Sequence, residues 1–507
     1  MQIHDLSVYD VIERNATLFC GKPAWLDHET GQSTTFDQFK RLVDILSQGL
    51  LAAGLHKGDR IGIVAKNSLR YFVLFGAAAA TGAILVPINW RLSPQEAAYN
   101  LKDTAPRFIF TDDDDPPWLT ALRAELDAKI AFYNLQPGRG AFADLPETDI
   151  APRPLARNAS HDGLVIIHTA AVAGRPRGAL LSHANLLCAN MHLMYCFGMS
   201  SNDVHLNLLP LFHVAGLGTA LQSFHAGALN VNMKKFDAAQ AVRLIAEHRV
   251  SLMFDFAPIL KSILDENEKS ENNITSLRAV MGLDAPETIE RYQKITGGTF
   301  YCLYGQTETS MLASMGPYSE RPGAAGQPLP LAAVGLMDDA GRLLPSGEVG
   351  EIVVRGPMVF QGYWNLSADT AETFRYGWHH TGDLGRLDAE GFLWFAGRKP
   401  EKELIKPGGE NVYPAEVEKV ILEHPAIDAT VVIGVPDPKW KEAIKAVCTL
   451  KRGRKCTPEE LIAFVGGRIA RYKKPQQVQF VETLPLTAAG GVDRAKVKEL
   501  YGGAASP

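Results

Sequence analysis

The chain is poor in the features that would assign it quickly to a simple class. It has six cysteines (Cys20, Cys188, Cys196, Cys302, Cys448, Cys456) in 507 residues, with no C-x-x-C pair and no metal-ligand spacing with histidine. That pattern argues against a disulfide framework and a zinc site, and it fits a reduced, cytoplasmic compartment in which the cysteines pack as small apolar groups. No run approaches the roughly 18 uninterrupted apolar residues of a membrane span. The start, MQIHDLSVYDVIERNA, lacks a basic segment followed by an apolar one, so the expectation is a soluble, unexported protein. The formal net charge is only −5, with acids and bases mixed throughout, which leaves no extended basic face for nucleic acid and no polybasic membrane patch. Any anionic ligand must be held locally. The four acids Asp112 to Asp115 precede Pro116 and Pro117 and read as a solvated turn, not a cation site.

What the chain does have is length, and alternating patterns along it. A sequence of 507 residues can bury several cores, so a large enzyme of several subdomains is expected. Arg60–Ala65 reads as a strand, Leu69–Thr81 as a buried helix, Ala83–Ile88 as a strand, Pro94–Leu101 as a helix and Arg107–Thr111 as a strand. This α/β alternation predicts a parallel sheet covered on both faces. Gln136–Asn158, rich in Pro, Gly and Arg, reads as a surface connection before a second α/β unit. There an apolar run, Leu164 to Ile167, stops at a loop of small residues, Thr169 to Gly178, and a helical pattern follows from about Ser182. Glycine-rich backbone at a helix start presents N–H groups to phosphate, and basic side chains neutralise its charge. The loop offers Thr169, Gly174, Arg175, Arg177 and Gly178 for that purpose.

Three later stretches add chemistry. FYCLYGQTETS, Phe300 to Ser310, sets a hydroxyl beside a carboxylate after a strand ending at Tyr304–Gly305. Thr307 can donate to phosphate, and Glu308 can hold magnesium, a hard cation that prefers oxygen ligands. WHHTGDL, Trp378 to Leu384, puts Asp383 after a tight glycine turn, where one carboxylate can accept both hydroxyls of a ribose. Gly397–Arg398, Lys402 to Lys406 and GGENVYP (Gly408 to Pro414) form a charged, glycine-broken joint between two structured parts. His168 at its strand end reads equally as a packing histidine or a ligand-orienting one.

Taken in order and spacing, the loop, YGQTE, HHTGD, GEIVVRGPMVFQGYW (Gly350 to Trp364) and GGENVYPAEVE resemble the AMP-forming acyl-CoA synthetases. These belong with peptide-synthetase adenylation domains and luciferases in the adenylate-forming superfamily, and the likeness runs through nearly the whole chain. It implies a carboxylic acid activated by Mg-ATP as an enzyme-bound acyl-adenylate, followed by displacement of AMP by the thiol of CoA. The resemblance casts Thr169–Gly178 as the phosphate loop, Thr307 and Glu308 as contacts to phosphate and magnesium, and Asp383 and Arg398 as ribose ligands. It places adenine between Leu283–Asp284–Ala285 and Cys302–Leu303–Tyr304–Gly305. Phe212–His213 falls beside the acyl pocket, Lys402 or Glu403 at the hinge, and Lys406 with Asn411 on a loop that swings in for thioester formation. The implied fold is a large N-terminal α/β domain, 1–397, of two parallel-sheet subdomains closed by a small barrel-like piece, with a mobile α+β domain, 398–507. A monomer or homodimer is implied too.

Two places depart from the family pattern. The phosphate loop usually reads T-S-G-T-T-G-x-P-K-G, and here it reads T-A-A-V-A-G-R-P-R-G: three hydroxyls are gone, Ala171 replaces glycine and Arg177 replaces lysine. Near the C-terminus, L-P-x-T-x-x-G-K-[IV]-D-R becomes LPLTAAGGVDR, with Gly491 at the lysine position. Losing one preorganised contact of that kind costs about 2.7–4 kcal/mol, or roughly 10²–10³ in rate. Three readings stay open: a ligase in which Arg175, Arg177 or another lysine substitutes; an enzyme of the second half-reaction, or one using an amine or other acceptor; and a silent relative that binds nucleotide or acyl ligand. The stretches expected to line the acid pocket, Leu209–Leu217, Met253–Leu260, Gly282–Asp284 and Met311–Met315, are mainly apolar and favour an aromatic or medium-chain acid. Asp284 reads as a polar contact within that pocket or as a backbone cap before Pro286.

Overall fold

The computed structural model describes residues 4–112, 116–135, 155, 157–172, 175–399, 403–407, 410–437, 441–486 and 492–503, without the side chains of 170–172, 175 and 441. The chain divides into two compact units. One comprises Met1–Trp90, Tyr99–His168 and Gly178–Gly397; the other comprises Arg91–Ala98, Thr169–Arg177 and Arg398–Pro507.

Among the described residues the strands form four sheets. The seven-stranded sheet runs, in spatial order, Gly362–Tyr363, Arg175–Ser182, Gly163–Val172, Ile84–Pro87, Arg60–Val64, Phe108–Thr111 and Ala131–Asn134. Its strands from Gly163–Val172 to Ala131–Asn134 pair in parallel. Helix Leu69–Thr81 is buried along nearly its whole length, which is why its apolar run is continuous and not striped. Ser68 caps its start by accepting from the Tyr71 N–H, and Gly82 ends it in the left-handed region at φ 74°.

The nine-stranded sheet has a parallel centre, Thr299–Tyr304, Ala279–Leu283, Leu252–Phe256, Val204–Asn207, Leu229–Asn232 and Pro23–Asp27, with antiparallel strands at each edge. Helix Val214–Ala226 packs its small residues near this sheet, and Asn230 reaches its Ala220 carbonyl at 3.2 Å. The strand-rich segment expected to close the large domain is a four-stranded antiparallel sheet, Ala333–Met337, Gly350–Arg355, His379–Leu387 and Leu393–Arg398. In the second unit, Ile427–Asp437 pairs antiparallel with Lys441–Leu450, which pairs in parallel with Gln477–Phe480. Helices Pro414–Leu422 and Pro458–Gly466 supply the apolar side chains that cover one side of its core.

Two sequence expectations change here. The stretch Thr169–Gly178, expected as a loop, has its described residues in two strands, Gly163–Val172 and Arg175–Ser182, while the helix begins at His183, as the pattern from about Ser182 leads one to expect. Pairing beside the parallel sheet holds Arg175–Ser182 extended despite its proline and glycine, and Ser182 then caps helix His183–Phe197 in a reciprocal box with Asn185. The cysteines were expected in the core; Cys188, Cys302, Cys448 and Cys456 are buried, whereas Cys20 is exposed beyond helix Val8–Leu18. No helix among the described residues is long and apolar enough to cross a membrane, and no metal-binding group of three His, Cys, Asp or Glu occurs among them. Asp112 accepts the Lys66 N–H at 2.8 Å, as a turn acid does, while 113–115 and most of Gln136–Asn158 lie outside the described residues.

Candidate active site

The neighbouring parallel strands Leu252–Phe256, Ala279–Leu283 and Thr299–Tyr304 deliver the predicted site residues at their carboxyl ends, where open α/β sheets bind ligands. Gly282 pairs with Cys302, so the two predicted adenine segments lie side by side. Cys302, Leu303 and Tyr304 are buried, whereas Leu283 is 44% exposed at the rim. Asp284 accepts the Ala285 N–H at 2.7 Å, just before helix Pro286–Thr296.

After Tyr304 the chain turns through Gly305 into a short 3-10 turn, Thr307–Thr309. Gly305 is required by close approach: a Cβ there would sit 2.0 Å from the Met311 carbonyl oxygen. Thr307 is half-buried, while Glu308 is 5% exposed and its Oε1 accepts the Tyr363 hydroxyl at 2.8 Å. A buried carboxylate needs such partners, or a cation, to offset its desolvation.

Asp383 is also buried, at 5% exposure. Its Oδ2 accepts the Tyr304 hydroxyl at 2.8 Å and the Gln306 Nε2 at 2.7 Å, so YGQTE and HHTGD meet through this carboxylate. Gln306 is oriented in turn by the Thr381 carbonyl at 3.0 Å and by His379 Nε2, 3.4 Å from its Oε1. The tight glycine turn expected before Asp383 is instead a bulge within strand His379–Leu387, with Gly382 at φ 68°. The neighbouring strand Gly350–Arg355 continues past this point, so the chain bulges where an isolated segment would turn.

His213 occupies the position before helix Val214–Ala226, and its ring lies 4.5 Å from that of Phe212. Of the expected pocket stretches, Leu252–Phe256 pairs with Ala279–Leu283, and Met311 reaches Gly218, whose Cβ would lie 3.7 Å from the Met311 methyl. His168 Nε2 lies 3.2 Å from Asp103 Oδ2. The Gly178 carbonyl accepts from the Trp364 N–H at 2.7 Å.

The other predicted residues fall in the second unit. Thr169 donates to the Arg177 carbonyl at 3.3 Å, Arg398 ends strand Leu393–Arg398, and the Lys406 N–H donates to Glu442 at 2.7 Å. Asn411 is exposed. Glu403 pairs with Arg494 at 3.1 Å; burial pushes its carboxyl above the usual range, against the pull of that guanidinium. Gly174, Lys402, Gly408, Gly409 and Gly491 lie outside the described residues, as does the Arg175 side chain.

Gln306, Tyr363, Glu351, His379 and His380 were not singled out as site residues. The only signal for them was membership of the motifs, since the contacts that tie them into the site span 29 to 77 positions of the chain.

A family model of AMP-binding enzymes matches residues 12–364, and one of the AMP-binding enzyme C-terminal domain matches 416–490. The chain is 31% identical over 478 residues to a feruloyl-CoA synthase of Amycolatopsis sp, covering 93% of this chain and 95% of that protein. A Rhodopseudomonas palustris structure assigned as a long-chain-fatty-acid CoA ligase is 44% identical with a TM-score of 0.74, covering 78% of this chain and all of that one (100%). An amide bond synthetase from Marinactinospora thermotolerans superposes with a TM-score of 0.88 at 25% identity, covering 98% of this chain and 100% of that one. The chain belongs to the family of AMP-binding, adenylate-forming enzymes that includes the acyl-CoA ligases.

Proposed function

We propose that this chain is an AMP-forming acid–thiol ligase that activates an aromatic or medium-chain carboxylic acid with ATP and transfers the acyl group to CoA. The observation that carries this reading is the meeting of Tyr304, Gln306 and Asp383, with the buried Glu308 following in the same YGQTE segment, at the carboxyl ends of parallel strands. In the first step a carboxylate oxygen attacks the α-phosphorus and pyrophosphate leaves. In the second, the CoA sulfur attacks the acyl carbon and AMP leaves. Glu308 would hold the magnesium ion, which supplies charge neutralisation at the phosphates. Thr307, Thr169, Gly174, Arg175, Arg177 and Gly178 would hold the phosphates, and Asp383 with Arg398 the ribose. Adenine would lie between Leu283–Ala285 and Cys302–Gly305, and the acid beside His213. Residues 1–397 would form the domain that binds ATP and acid, with 398–507 moving about Lys402 or Glu403 to bring Lys406 into the thioester-forming state.

Arginine stays charged and forks onto phosphate, so Arg175 and Arg177 offset part of what the loop's missing hydroxyls and Gly491 withdraw. Pyrophosphate–ATP exchange that depends on the acid tests adenylation. Gly491→Lys should raise that exchange by about two orders of magnitude if the absent lysine limits the rate. An unchanged rate would mean that other groups already fill its place. The likeness to an amide bond synthetase supports a second reading, transfer of the acyl group to an amine. Supplying the acyl-adenylate with CoA and with amines separately distinguishes the two: thioester without amide supports the ligase, and amide alone supports the alternative.

A further inference from the structure

The run GEIVVRGPMVFQGYW served in the sequence only as a landmark; its glutamate has a definite task in the structure. Strand Gly350–Arg355 pairs antiparallel with strand His379–Leu387, Glu351 opposite Leu384 and Val353 opposite His380. Between these pairs the three residues Thr381, Gly382 and Asp383 stand opposite Ile352 alone. A bulge of this size takes backbone N–H groups out of the ladder, and each buried one needs another acceptor. Glu351 supplies it: its Oε1 accepts the Gly382 N–H at 2.9 Å. The other oxygen is fixed by His380 Nδ1 at 2.9 Å and Arg375 at 3.3 Å. Thr381 completes the stitching, donating to the Ile352 carbonyl at 2.6 Å and accepting the Asp383 N–H at 3.2 Å.

We propose that Glu351 is a positioning residue for nucleotide binding: by holding the Gly382 N–H it fixes the bulge that aims the Asp383 carboxylate. The inference rests on the reading that Asp383 takes the ribose hydroxyls. Glu351 is 4% exposed and held on both oxygens, so it acts through the backbone of residue 382 and not on the ligand. A carboxylate fixed by donors on both oxygens is rigid, which is what a supporting contact requires.

The test compares ATP with 2′,3′-dideoxy-ATP, which lacks both hydroxyls, on the full chain by calorimetry and by KM. Glu351→Ala should weaken ATP by about tenfold or more. It should leave the dideoxy nucleotide within about twofold and the KM for the acid unchanged. Glu351→Asp, which keeps the charge but withdraws it from residue 382, should show the same selective loss, and Glu351→Gln, which keeps an acceptor there, should restore most of the affinity. Equal weakening of both nucleotides, or of neither, in Glu351→Ala and Glu351→Asp overturns the proposal. Asp383→Ala is measured alongside. If it fails to discriminate the two nucleotides, the ribose reading falls and the inference with it; if it discriminates and the Glu351 variants do not, only the role of Glu351 falls.

Discussion

Mild acid should destabilise the large unit well before its carboxylates titrate, because three of its histidines are buried in their neutral form. Burial holds His183, His205 and His225 down at about 4, from an ordinary value of 6.5. Loss of hydration on burial is the main cost of charging each of them. His183 Nδ1 accepts the Val8 N–H at 3.1 Å, so a proton there would face a donor. His205 Nδ1 lies 2.9 Å from Asn230 Oδ1, a contact that favours the charged ring but is outweighed by burial, and His225 Nδ1 lies 3.3 Å from Asn190 Nδ2. These groups have folded values below their unfolded ones, so the unfolded chain takes up protons first as pH falls. Their contribution is therefore complete above about pH 6.5 and is lost progressively down to about pH 4. Each shift corresponds to about 3.4 kcal/mol, and between pH 7 and 5 the three together should remove about 5 kcal/mol, a large share of a typical stability. Urea unfolding followed by tryptophan fluorescence at pH 7, 6 and 5 measures this in a variant with Trp440→Phe, since the other six of the seven tryptophans, Trp25, Trp90, Trp118, Trp364, Trp378 and Trp394, precede residue 398. His205→Gln should reduce the loss by about one-third. A loss below about 1.5 kcal/mol with the histidines intact, or an unchanged loss with His205→Gln, would refute the reasoning.

Three further outcomes follow from single contacts. Tyr363→Phe keeps the ring against Phe360 but removes the hydroxyl held by Glu308; a hydrogen bond to a carboxylate is worth about 1.5–3 kcal/mol, so acid-dependent pyrophosphate exchange should fall about 10- to 100-fold with the circular dichroism spectrum unchanged. Gly305→Ala sets a Cβ 2.0 Å from the Met311 carbonyl and should abolish exchange while lowering the melting temperature; wild-type exchange would show that the turn yields freely. Arg278 forks onto Asp203 with both distances 2.9 Å and, with the Ser200 N–H and Ser251, holds that carboxyl below its usual range despite burial. Arg278→Ala should cost about 2 kcal/mol in urea unfolding at pH 7, with the difference from wild type shrinking as Asp203 protonates at low pH.

Elements built from local pattern were legible in the sequence. The strand Arg60–Val64 and the helix Leu69–Thr81 follow from a β-branched run, Ile61, Ile63 and Val64, broken only by Gly62, and from a buried apolar stretch between a serine cap and a glycine stop. What the sequence hid depends on residues far apart in the chain. Arg175–Ser182 carries loop-like residues, yet sheet pairing makes it a strand. The position of Asp383 depends on Glu351 and on a bulge that exists only when two strands align, and its partner Tyr304 lies 79 residues away. Motif spacing marked Asp383, Thr307 and Glu308 but gave no sign of Gln306, Tyr363 or Glu351 as their supports.

The central claim is tested most directly by AMP release from the full chain, with ATP, magnesium and CoA, across a panel of aromatic and medium-chain acids. Ligase activity predicts AMP formed in step with acyl-CoA thioester, and only when acid, ATP and CoA are all present. AMP no higher than the acid-free background with every acid in the panel would contradict it.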